Sequence, residues 1–123
     1  MDKAQAIHWF WSSFGLPAYD ENTVDDDAVM PYITYSVSTG SLEDIVLLNA
    51  SLWYRSTSWA EITHKADEIS HLLTNMSPPA VKIDGGRAYF TKGSPFSQRL
   101  AEEDDDSVRR IYLQVNAEFL TND

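Results

Sequence analysis

The strongest constraint in this sequence is a period of two close to its end. Over residues 111–120 the odd positions read Ile111, Leu113, Val115, Ala117 and Phe119, and the even ones up to 118 read Tyr112, Gln114, Asn116 and Glu118. Successive side chains of a strand point to opposite sides of a sheet, so this alternation predicts a strand with one buried and one wet face. The strand is entered through a run of acids at 102–106 and the pair Arg109 and Arg110. Placed last, it has to pair with strands already formed, and the function is expected on a sheet-built surface.

The rest of the chain supplies those neighbours. Ala4, Ile7, Trp11 and Phe14, with Phe10 beside them, fall at helical spacing and predict an amphipathic helix over 3–14, ended by Gly15 and Pro17. Its polar side offers only Lys3, whereas a helix lying on a membrane surface carries several cations there. Residues 15–27 lack a clear period and predict a surface loop. Alternation over 31–37 and a more apolar run over 44–55 predict two strands separated by Gly40 and Ser41, the second of them central in the sheet. Ser58 and Glu61 have the spacing of a capping box and open a helix over 59–75, whose Trp59, Ile62, Ala66, Ile69 and Leu73 share one side. Asn75 and the pair Pro78 and Pro79 stop it. Two short strands, 81–83 and 88–90, flank Asp84, Gly85 and Gly86, where glycines supply the positive φ angles of a tight hairpin.

The expected order is α-β-β-α-β-β-β. That makes one α+β domain over 1–123, a mostly antiparallel sheet of four to five strands with two helices on one face. Its 123 residues are enough to bury an adequate core, and 43% hydrophobic content with four Trp, six Tyr and five Phe argues for a packed globule. The absence of cysteine removes disulfides, thiolate catalysis and cysteine-bound zinc. The start has neither the basic end nor the apolar stretch of a signal peptide, and no apolar run is long enough to span a bilayer, so synthesis in the cytoplasm is expected. A formal charge of −10 opposes sequence-independent attraction to nucleic acid or to an anionic membrane.

No catalytic constellation emerges, and the chain is not expected to be an enzyme. Glu68 and His71 form one Glu-x-x-His element, but di-iron bundles need two copies and further glutamates. His64, Glu68 and His71 fall opposite the apolar side of their helix, and the two histidines stand two turns apart, about 10 Å by helical rise. The acids at 25–27 and 102–106 lack the alternating ligands and central glycine of a calcium loop and predict solvated charge. No cofactor and no metal are expected. His8 predicts a surface or partly buried histidine rather than a base. Trp9 lies off its helix's apolar stripe and is a candidate contact residue, with core packing as the competing reading.

Residues 93–106 are too long and polar for a tight hairpin and predict a loop, mobile in the free subunit and ordered against a partner. Phe96 would be its apolar anchor, with Arg99 beside it and Asp104, Asp105 and Asp106 in solvent or facing basic residues.

Taken in order, the aromatic first helix, Gly15-Leu16-Pro17-Ala18-Tyr19, the Pro31-Tyr32-Ile33-Thr34-Tyr35 strand, the Ser58-Trp59-Ala60-Glu61 helix start, the Asp84-Gly85-Gly86 hairpin and the Arg110-Ile111-Tyr112-Leu113 strand resemble small minor structural proteins of long-tailed phages, most closely the tail terminator, or tail completion, family. The resemblance spans nearly the whole chain through soft patterns. It implies an α+β subunit of the virion that assembles as a hexameric ring in the tail-neck region, caps the tail tube and joins it to a head completion or connector protein. Phage DNA would pass through the lumen without direct binding, no membrane would be involved, and no catalytic residue is carried over. Head completion and head-tail joining proteins share the size and acidity, and a non-catalytic protein-binding module is the other reading of the same residues.

Overall fold

The computed structural model describes residues 1–36, 45–75, 80–100 and 104–121. Two helices and six strands follow one another: α1 (Lys3–Ser12), β1 (Ala18–Asp20), β2 (Tyr32–Ser36), β3 (Ile45–Arg55), α2 (Ala60–Asn75), β4 (Ala80–Ile83), β5 (Gly86–Leu100) and β6 (Val108–Thr121). The strands form one sheet in the order β1-β2-β3-β6-β5-β4. Every pairing is antiparallel except that of β1 with β2. The expected breaks at Gly40–Ser41 and Pro78–Pro79, and the acids Glu102 and Glu103, lie outside the described residues.

Capping chemistry explains both helix starts. Asp2 accepts from the Gln5 amide at 2.8 Å while the Gln5 side chain accepts from the Asp2 amide at 2.8 Å, a reciprocal box that satisfies two first-turn donors. At α2 the expected box is only half made. Ser58 Oγ accepts from the Ala60 amide at 3.0 Å, but the Ser58 amide donates to Ser56 Oγ at 3.0 Å, so a nearer hydroxyl holds the place expected for Glu61. Helix α1 stops short of Phe14, because the Ser13 amide and hydroxyl both turn back to the Phe10 carbonyl. Phe14 remains buried nonetheless, edge-on to Phe10.

Both helices cover the same face of the sheet. Ala6, Ile7, Phe10 and Trp11 of α1 and Ile62, Ala66, Ile69 and Leu73 of α2 join the odd residues of β6, from Ile111 to Phe119, in a single core. Ala4, expected on the apolar side of α1, is exposed, and Ala6 takes that place. Phe90 is fully buried and stacks on Phe10 at 4.2 Å between ring centres. Truncating such a residue to alanine costs about 3–5 kcal/mol.

Two expectations are corrected. Residues 18–20, read as loop, form β1: Pro17 O accepts from the Ile33 amide and Tyr35 O from the Glu21 amide, locking a short parallel edge. The loop expected over 93–106 is largely strand, since β5 runs on to Leu100. Lys92 pairs with Val115 and Ser97 with Leu113, so residues 93–96 bulge out and the register resumes beyond them. Gly93 permits this, because a Cβ there would sit 2.9 Å from Gln114 Cβ and carbonyl oxygen. Phe96 therefore lies within a strand, half-buried against the core of the same chain, and is not the tip of a mobile loop. In the β4–β5 hairpin only Gly85 adopts positive φ, at 79°. Gly86 is needed for a different reason, a Cβ at that position falling 1.8 Å from Leu120 O.

Candidate interaction surface

Strand register sorts the side chains into a helix-covered face and an open one. The pairs Leu48↔Val115, Ala50↔Leu113 and Leu52↔Ile111 point into the core. Leu47↔Asn116, Asn49↔Gln114, Ser51↔Tyr112 and Trp53↔Arg110 therefore point away from the helices. The same alternation sends the adjacent Arg109 and Arg110 to opposite sides.

On the helix side, Arg109 Cζ lies 5.3 Å and Arg99 Cζ 4.9 Å from the centre of the Trp59 ring. Arg99 also donates to Thr63 Oγ1 at 3.2 Å. Arg109 donates to the carbonyls of Thr57 at 2.8 Å and Asp106 at 2.9 Å, tying the β3–α2 turn to the start of β6. Its Nε is buried without a hydrogen-bond partner among the described residues. Arg55 joins this end of the sheet through Ser107 Oγ at 3.1 Å and Asp105 Oδ2 at 3.6 Å. Hydrogen bonds from the Ser107 hydroxyl and amide, helped by Arg55, hold the Asp105 carboxyl below the usual carboxylate range.

On the open side, Arg110 Cζ sits 4.7 Å from the Trp53 ring centre and its Nε donates to Ser51 Oγ at 3.0 Å. Trp53 Nε1 donates in turn to Thr34 Oγ1 at 2.8 Å, and Tyr19 meets Tyr32 edge-on at 5.7 Å. A polar notch of about 120 Å³ opens between β2, β3 and β6, lined by Glu21, Thr34, Asn49, Ser51, Arg110 and Tyr112 among others. Asn49 Oδ1 is buried beside it without a hydrogen-bond partner among the described residues. Towards the other end of the face, Leu47 and Leu120 are 53% and 49% exposed. Among the described residues its charges lean basic, Lys82, Arg87 and Arg110 against Glu118 and Glu21.

Among the residues singled out from sequence, Arg99, Asp105 and Asp106 gather at one end of the sheet through Trp59, Arg55 and Arg109. Asp104 is exposed in the adjoining turn. Phe96 sits on the bulge of β5, and Trp9 stands on α1, 38% exposed. His8 Nδ1 lies 2.7 Å from the Tyr35 hydroxyl. Burial first, and the Asp20 carboxylate second, push that phenol's pKa up. Glu68 is engaged by Lys65 at 2.6 Å and His71 by Asn75 at 2.7 Å. Among the described residues no group of three or more His, Asp or Glu comes together to hold a metal ion. A shallow groove of about 540 Å³ lies beside Tyr54, Glu61, His64 and Glu68. Burial, then Glu61 and Glu68, push the Tyr54 phenol's pKa up.

Sequence reading missed Trp53, Trp59, Arg109 and Arg110 as contact-forming residues. Trp59 and its arginines are some forty or fifty positions apart, so no local window shows them together. The one available signal was the strand period itself, which already sends Arg109 and Arg110 to different faces. No helix among the described residues is long and apolar enough to cross a membrane. No protein-family model matches the chain, and no curated protein matches it.

Proposed function

We propose that this chain is a structural subunit of a long-tailed phage virion, a tail terminator that closes into a ring on the tail tube and joins it to the head. The observation that best supports this is the one-sided sheet. The helices bury one face, while the other presents half-buried Trp53, Tyr32 and Tyr112 with Arg110, the residue types that dominate protein contacts. A Trp53 ring held by Thr34 and an Arg110 guanidinium held by Ser51 on a rigid sheet lose little freedom on meeting a partner. Six copies of a chain with net charge −10 would surround the lumen with negative charge, letting DNA pass without adhering.

The test is sedimentation velocity with negative-stain imaging, on the protein alone and mixed with tail tubes of the phage that encodes it. Rings, or rings formed on tube ends, are expected. A chain that stays monomeric in both conditions and leaves the tubes bare overturns the assignment.

A further inference from the structure

We infer that the open sheet face of one copy is covered by the outer face of α2 from a second copy, so that subunits stack head to tail. This rests on the ring assembly proposed above and names the surfaces that build it.

The first ground is layering. A sheet covered on one side by helices is stable as a two-layer unit, and a further helix on the bare side completes a third layer. Here the bare side exposes Leu47 and Leu120 and holds half-buried Trp53, Tyr89 and Tyr112. The outer side of α2 carries its own exposed apolar residue, Leu72, at 36%.

The second ground is charge. In a chain where acids outnumber bases nineteen to nine, the described part of the open face tips the other way, with Lys82, Arg87 and Arg110 against Glu118 and Glu21, and Lys82 and Arg87 form a basic pair at its β4–β5 edge. The outer side of α2 is acidic, with Glu61, Asp67 and Glu68 exposed and Lys65 drawn into an ion pair with Glu68. Opposite patches attract and steer association, whereas two sheet faces brought together would oppose basic residues to each other. Charge thus disfavours a two-fold sheet-to-sheet pair. The third ground is the notch, where the buried Asn49 oxygen has no donor among the described residues and a side chain of a facing helix can provide one. Because the two surfaces differ, their contact is heterologous, the kind that forms a ring when the rotation from copy to copy closes and an open stack when it does not.

Two paired variants test this: Lys82→Glu with Arg87→Glu on the sheet, and Glu61→Lys with Asp67→Lys on α2. All four positions are exposed, and circular dichroism melting of each variant confirms that the fold persists. Each pair alone is expected to weaken self-association, alone or on tubes, on the order of a hundredfold through like-charge contact. Mixing the two variants should restore assembly, because the native helix face of one fits the native sheet face of the other and the two reversed faces are again opposite in charge. Rings that form unchanged in either variant overturn this contact while leaving the ring assembly standing. A wild-type chain that never associates, with or without tubes, overturns both.

Discussion

Replacing Trp59 by alanine should remove the clasp that holds the start of α2 to the start of β6. The indole is half-buried, so it withdraws roughly 100 Å² of apolar surface from water, worth about 2.5 kcal/mol. The Arg99 and Arg109 contacts at 4.9 and 5.3 Å add about 0.5–1 kcal/mol each at such a partly exposed site. Burial already present in the unfolded chain lowers the sum, leaving about 3 kcal/mol. In a domain of this size that corresponds to a fall in Tm of roughly 10 °C. The arginines should not be equivalent. Arg99→Ala loses one ring contact and one hydrogen bond to Thr63, about 1 kcal/mol together. Arg109→Ala also strips the Thr57 and Asp106 carbonyls of a charged donor, raising its cost to about 2 kcal/mol or more. Urea titrations of the single and double variants measure both effects, with the Trp59–Arg109 cycle isolating the ring contact. If Arg99→Ala is as damaging as Arg109→Ala, or neither arginine couples to Trp59, the clasp is wrongly drawn.

Phe96→Ala should destabilise the isolated subunit by about 1.5–2 kcal/mol, roughly half the cost of emptying a fully buried aromatic site. A change below about 0.5 kcal/mol in denaturant unfolding, the range of ordinary surface substitutions, would mean that the bulge does not hold the ring against the core. Asp105 bears on pH. Its folded carboxyl is depressed first by the Ser107 hydroxyl and amide and then by Arg55. The stabilisation is therefore complete above the unfolded value near 4 and is lost as pH falls through the lower folded value. Stability-versus-pH curves of wild type and Asp105→Asn should run parallel above about pH 5, wild type the higher, and draw together only below about pH 4; a gap that changes with pH near neutrality would contradict the assignment.

The fold was legible where one physical rule acted over a long stretch. Nine residues of alternation, 111–119, place β6 in the sheet with its odd side chains inward, and helical spacing of Ile62, Ala66, Ile69 and Leu73 identifies the buried side of α2. Legibility fails where an element is too short for its period to register. The three residues of β1 become a strand only because Ile33 and Tyr35 present a free edge to Pro17 and Glu21. It fails again where a residue's usual meaning is reversed by its partner. Gly93 and Pro95 read as a break, since both are punctuation in most chains. Strand β6, however, continues past them, and its Leu113 and Tyr112 capture Ser97 and Gln98 once the intervening residues have bulged away. What decides the path of residues 93–100 is therefore a strand that follows them in sequence.

The interaction surface lies beyond local reading for a related reason. Every contact of Trp59 with an arginine, and of Trp53 with Arg110, is made across the sheet between residues remote in sequence. A pair of adjacent arginines reads on its own as a basic patch. Placed on a strand, the same pair is divided by the sheet: one guanidinium is committed to the turns beside α2, and the other stands over Trp53 on the face that lacks a helix. Only the second can help a partner recognise that face. Substitutions of Arg109 should accordingly be felt in the stability of the folded chain before they are felt in the assembly proposed above.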